Sequence, residues 1–174
     1  MRPLHLTATL MVITCLLASC GGGGDSNPKP LTEATCDSGT LAPDLNKVSG
    51  SRIPDNDSQG ISVTWDSQNC SLQSVTSISL DVCLTHDDPA DLVWQITSPS
   101  SGSPLTVKAS PDWASTDSCN LVAGASGKFQ RFDLLPTVQT NVTTQGRWTL
   151  NVSDPVKNDE GILIRWRLLI QGLR

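Results

Sequence analysis

The stretch Gly161-Ile162-Leu163-Ile164-Arg165-Trp166-Arg167-Leu168-Leu169-Ile170 decides the fold class. Ile162, Ile164, Trp166, Leu168 and Ile170 recur at every second position, with Arg165 and Arg167 pointing the other way. Side chains alternate across a strand with period two, so the spacing predicts one apolar and one polar face. The same alternation runs back along the chain. Trp148, Leu150 and Val152 alternate with Thr149, Asn151 and Ser153. Leu92, Trp94 and Ile96 alternate with Val93, Gln95 and Thr97, and Ile78, Leu80, Val82 and Leu84 with Ser79, Asp81, Cys83 and Thr85. Shorter runs lie at Ile61, Val63 and Trp65, at Leu105 and Val107, and between Phe129 and Leu134. Gly, Pro, Asn, Asp and Ser mark the breaks, and no stretch beyond the first twenty residues carries a helical stripe. Seven or eight short strands joined by turns predict an all-β, two-sheet sandwich.

The first residues follow other rules. Arg2 and His5 precede an apolar run from Leu6 to Leu17, and Ala18 and Ser19 come just before Cys20. The run is too short for a typical spanning helix of about 20 residues and has the flanks of an export signal. Leu17-Ala18-Ser19-Cys20 resembles the lipobox of bacterial lipoproteins. That resemblance implies cleavage before Cys20 and acylation of its thiol and amine, enough acyl chains for stable anchoring. Gly21 to Gly24 and Asp25-Ser26-Asn27-Pro28 then form a flexible tether. The expected organisation is a signal peptide at 1–19, lipidated Cys20 and tether at 20–35, and the sandwich at 36–174. The expected location is the bacterial cell envelope, lipid-anchored. Gly21 after the cysteine favours the outer membrane in a host that has one.

Cleavage leaves 155 of the 174 residues and takes away Arg2 and no acidic residue, moving the net charge from −5 to −6. Specific nucleic-acid binding needs clustered Lys and Arg to neutralise phosphates, so this balance excludes it. A charged content of 17% also argues against a coiled coil or an acidic disordered tail. Four cysteines remain for pairing, Cys36, Cys70, Cys83 and Cys119, and in an exported chain four thiols point to two disulfides. No Cys-x-x-Cys pair occurs and His86 is the one histidine left, which disfavours zinc. The strand Val75–Leu84 spans about 33 Å, and the chain from Cys70 to Val75 reaches back at most about 17 Å. Cys70 therefore cannot reach Cys83, because bridged Cα atoms lie within about 7 Å. That leaves 36–70 with 83–119, which is preferred, or 36–83 with 70–119.

Three blocks in order bring a family into view. Ile53-Pro54-Asp55-Asn56-Asp57 with Gly60-Ile61 resembles the opening of the P domain (P/Homo B domain) of proprotein convertases and bacterial subtilisin-like proteases. Leu84-Thr85-His86, Asp91-Leu92 and Ser98-Pro99-Ser100-Ser101-Gly102 resemble its central segment. Gly146 to Leu150, Val152-Ser153-Asp154, Asp159 and Gly161 to Trp166 resemble its closing hairpin. Ala90 stands where the family usually has glycine, one serine is added in the Ser98–Gly102 turn, and the four cysteines are outside the usual pattern. The resemblance implies a jelly-roll β-sandwich of about eight strands. It also implies a role beside a subtilisin-like catalytic domain, supporting folding and stability. Such a catalytic site needs Asp, His and a Ser nucleophile turn in separate blocks, and Gly124-Ala125-Ser126-Gly127 is only a glycine-serine loop. The expected function is thus a non-catalytic, membrane-anchored module that binds or stabilises another exported protein, with a serine protease as the leading partner.

His86, beside Asp87 and Asp88, is a candidate base or ligand, although a hydrogen bond fixing the turn is the preferred role. Asp55, Asp57, Asp87, Asp88, Asp91, Asp154 and Asp159 fall in loops and are candidate ligands for calcium, which wants six to eight oxygens. Some bacterial members of the family bind calcium, whereas none of these runs is an EF-hand loop, and Asp is also an ordinary turn former. Trp94, Trp148 and Trp166 are expected in the core, with Trp65 similar. Trp113, in Ser110-Pro111-Asp112-Trp113, is either a sugar- or peptide-binding platform or a cover over a core edge. A carbohydrate-binding jelly roll is accordingly the alternative function, since fold does not fix function.

Overall fold

A computed structural model describes residues 29–43, 51–107, 119, 126–138 and 142–174. Within them lie nine strands and a single 3-10 turn, Pro89–Asp91. The strands are β1 Glu33–Asp37, β2 Ser51–Ile53, β3 Asp57–Asp66, β4 Ser74–Thr85, β5 Val93–Thr97, β6 Leu105–Val107, β7 Lys128–Asp133, β8 Arg147–Asp154 and β9 Gly161–Leu173. One sheet runs β1-β9-β4-β7, with β2 also on β9, and the other runs β3-β8-β5-β6. Every pairing is antiparallel. The all-β sandwich expected from the alternation is the observed architecture. No helix among the described residues is long and apolar enough to cross a membrane.

The core lies between the sheets and is built from the alternating residues. Trp94 and Trp148 of the second sheet and Trp166 of the first are all but fully buried. Trp94 meets Phe132 of the opposite sheet at 5.4 Å between ring centroids, tilted by 44°, a spacing at which aromatic pairs attract. Trp65 is only half-buried, because it lies next to the end of edge strand β3 rather than in the middle of a sheet.

The deciding stretch departs from strict alternation. Cys83 pairs with Arg165 and the next residue, Leu84, pairs with Leu163, which leaves Ile164 as an extra residue in β9. A bulge of this kind shifts the phase of the strand by one. The inward face is therefore Gly161 and Leu163 before the bulge, then Trp166, Leu168 and Ile170 after it. Ile162 and Ile164 leave the apolar face predicted for them. Ile162 is 38% exposed, and Ile164 is partly covered.

The sandwich also starts earlier than Cys36. Thr32 and Arg174 exchange backbone hydrogen bonds at 2.9 and 3.0 Å, and β1 pairs with β9 from Glu33 onward. Residues 33–35, placed in the tether by composition, belong to a strand because backbone pairing asks nothing of their polar side chains.

Two disulfides fasten this frame. Cys36 is bonded to Cys70, joining β1 to the β3–β4 connection, with Cα atoms 5.6 Å apart. Cys83, on the outer side of β4, is bonded to Cys119, with Cα atoms 5.7 Å apart.

That outer side also carries a row of alternating charge. Arg131 on β7 donates twice to buried Asp81 on β4, at 2.6 Å each, and Arg167 on β9 donates at 2.8 and 2.5 Å to Asp37 on β1. The Arg167 hydrogen bonds, chiefly, hold the Asp37 carboxyl below its ordinary value of 3.8 against the opposing effect of partial burial. The folded state thus binds its proton less readily than the unfolded chain. The stabilisation is complete above the ordinary carboxyl range and is lost as pH falls through the lowered value. Urea unfolding between about pH 5 and pH 2 should therefore show a shallower loss of stability in Asp37→Asn than in the parent. Identical slopes would assign the acid sensitivity elsewhere.

Candidate functional site

The three blocks of the sequence meet at one end of the sandwich. His86 follows the end of β4, Asp154 ends β8, and Gly161 starts β9. β4 and β9 belong to one sheet and β8 to the other, so a contact among them ties the sheets together. His86 Nε2 donates to Asp154 Oδ2 across 3.1 Å, and both side chains are out of contact with solvent. A carboxylate only accepts, so this bond fixes the tautomer with the proton on Nε2. Asp154 Oδ1 accepts from the backbone of Val156 at 3.0 Å and holds the turn leaving β8. The imidazole lies against Gly161, where an added Cβ would stand 2.5 Å from His86 Cδ2. Glycine is required there by the ring.

This geometry decides the role of His86. Nε2 is engaged, and the remaining nitrogen, Nδ1, is buried without a hydrogen-bond partner. A general base must lie within hydrogen-bond reach of a substrate proton, directly or through one water. Neither ring nitrogen is open to solvent, so the pair acts as an inter-sheet clasp. Asp154→Ala strands the Nε2–H of His86 and the N–H of Val156 and should cost about 2 kcal/mol, as buried unpaired donors do. Exposed Asp87→Ala should stay within about 0.5 kcal/mol. Thermal unfolding compares the two, and equal effects would contradict the clasp.

The acidic loops gather at the same end, where most serve the backbone. Asp55 Oδ1 accepts from Asn158 N at 3.0 Å, joining the β2–β3 turn to the β8–β9 loop. Asp57 Oδ1 accepts from Gln59 N at 2.8 Å. Asp88 caps the 3-10 turn by accepting from Ala90 N at 3.1 Å. Asp87 is exposed, and its carbonyl accepts from Lys128 Nζ. Glu160 pairs with Arg52. Loss of hydration, then the charges of Asp88, Asp154 and Asp159, hold the Asp91 carboxyl above its ordinary value. The structure thus brings Asp88, Asp91, Asp154 and Asp159 into one neighbourhood and commits Asp55 and Asp57 to turns. Among the described residues no three His, Cys, Asp or Glu side chains converge to hold a metal.

Trp113 and Cys20 lie outside the described residues. Sequence reading missed the polar network at the opposite end. Buried Ser67 Oγ donates to Thr144 O at 2.5 Å and Gly146 O at 2.8 Å. Thr144 Oγ1 donates to Cys70 O at 2.9 Å and accepts from Leu72 N at 3.1 Å. Trp148 Nε1 donates to Thr144 O at 3.1 Å. Nothing in a lone Ser or Thr within a turn-rich segment marks it as buried; only its distant partners do. Beside this network a cleft of about 490 Å³ opens between β1 and the end of β3.

A family model described as the proprotein convertase P-domain matches residues 75–170. Among solved structures, a complex of Aeromonas sobria serine protease with a chaperone is similar to the chain with a TM-score of 0.55 at 18% identity, covering 83% of it and 27% of the other chain. The Aeromonas sobria serine protease by itself gives 0.51 at 17% identity, covering 82% and 27%. At such identities the likeness is one of fold, and the chain spans about a quarter of those proteins' length. Comparison with curated proteins gives no match.

Proposed function

Because the chain belongs to the proprotein convertase P-domain family, we propose that it works as a non-catalytic module that binds and stabilises another exported protein, foremost a serine protease, while anchored to the cell envelope through acylated Cys20. The observation that carries this reading is the P-domain match itself, whose central and closing blocks meet in the His86–Asp154–Gly161 clasp. A histidine committed to holding two sheets together supports a structural, non-catalytic role. The protease partner is supported by the family, and by a fold shared with a serine protease whose structure was solved with a chaperone. The anchor is supported by the Leu17–Cys20 segment and the glycines after it. At the other end of that tether, β1 pairs with the end of β9, so the clasp lies about 40 Å away along β9.

The test is recovery of the full chain from its own membranes in detergent, with its bound proteins. A co-eluting serine protease whose melting temperature falls when the chain is removed is the expected result, since a ligand of the native state stabilises it. Cys20→Ala should move the chain from the membrane to the soluble fraction. Purified chain that hydrolyses casein, or a protease whose stability ignores the chain, would overturn the reading.

A further inference from the structure

The cleft at the tether end is a built site rather than a surface dip. One wall is β1 with Cys36 and Asp37, and the other is Trp65, Asp66 and the Ser67–Leu72 segment, with Arg174 beside them. The Cys36–Cys70 bond closes the two walls together. The 67–72 segment is held from behind by the Ser67 and Thr144 hydroxyl bonds, by Ser67 N to Gly146 O at 2.8 Å and by Cys70 N to Ser67 O at 3.0 Å. Gln145 Nε2 adds a bond to Gln68 O at 2.7 Å. With the backbone fixed, the exposed Gln68 and Asn69 side chains are left to the solvent side, and Gln68 Nε2 donates to Asp66 Oδ2 at 3.2 Å. A site fixed before binding loses little entropy when a ligand arrives.

The chemistry of the lining selects the ligand. A volume of about 490 Å³ falls in the range of small-molecule sites. Asp37 is already paired with Arg167, and the carboxylate of Asp66 shares the lining with the guanidinium of Arg174, so these four side chains carry two charges of each sign and favour neither an anion nor a cation. Amides and a carboxylate dominate over apolar surface, which disfavours a hydrocarbon ligand. A half-buried tryptophan beside amides and a carboxylate suits a ring with one apolar face and a rim of hydroxyls. We propose that this cleft binds a neutral saccharide, with Trp65 as the stacking surface and Asp66, Gln68 and Asn69 as partners for its hydroxyls. The site is separate from the clasp.

The experiment is calorimetric titration of the full chain, in a detergent without a sugar headgroup, against neutral probes: N-acetylglucosamine oligomers, cellohexaose and maltohexaose. Sialyllactose and tetramethylammonium serve as anionic and cationic controls. Saturable binding of a neutral probe is expected, lost in Trp65→Leu, weakened about tenfold in Asn69→Ala as for one lost hydrogen bond, and unchanged in Trp113→Ala. Asn69 is exposed, so its variant keeps the test decisive even where Trp65→Leu fails to fold. No saturable binding of any neutral probe, tighter binding of a charged control, or sensitivity to Trp113→Ala alone would overturn the proposal.

Discussion

The double change Cys36→Ser with Cys70→Ser is expected to lower the free energy of unfolding by about 4 kcal/mol and the melting temperature by roughly 10 °C. The bond closes a loop with a sequence separation of 34, and opening it returns that loop's freedom to the unfolded chain. The native state loses as well. None of the five residues of β1 is fully buried, so little apolar contact keeps this edge strand in place beyond its backbone bonds to β9. Release of β1 would leave the Leu169–Leu173 end of β9 as an unpaired edge, the arrangement that invites pairing with other chains. Urea unfolding under non-reducing conditions, with light scattering on the same samples, checks both effects. A loss under about 1 kcal/mol with no scattering would show that β1 holds without the bond.

Trp94→Ala should cost about 3 to 5 kcal/mol, the usual range for removing a fully buried tryptophan. Trp94 stands on β5 in the second sheet with no exposed surface and meets Phe132 across the interface. Its loss removes contacts from both layers at once, and rigid strands collapse poorly into the gap. The β9 bulge supplies an internal control. Leu163→Ala should cost about 2 to 5 kcal/mol, whereas Ile162→Ala should cost well under about 1 kcal/mol. Chemical denaturation of the three variants separates the bulged register from strict alternation, which would reverse the order of the last two.

Most of the frame was legible because sheet burial has a period of two. Leu150, Val152, Ile78, Leu80, Val82, Leu92 and Ile96 read directly as inward positions and are buried as spaced. The bulge at Ile164 was not legible, since one extra residue leaves composition unchanged and shows itself only against the partner strand. The edge of β1 was hidden for a related reason: Glu33-Ala34-Thr35 is polar, and backbone hydrogen bonds alone recruit it. At the clasp, His86 was visible as the one histidine besides His5, while its partner Asp154 lies 68 positions away. Nothing in either sequence neighbourhood states that they touch.

The sequence by itself determined the class: alternating apolar residues between turn formers can bury their faces only as paired sheets. It also determined the family, through short blocks at Leu84–Gly102 and Gly146–Trp166. Tertiary structure alone decided what the polar residues do. It turned Asp55, Asp57, Asp88 and Asp154 into backbone fasteners, His86 into a clasp, and Ser67 with Thr144 into the support of a cleft. The physical reason is that apolar burial follows from local periodicity, whereas a polar side chain takes its role from a partner that the folded chain brings within about 3 Å.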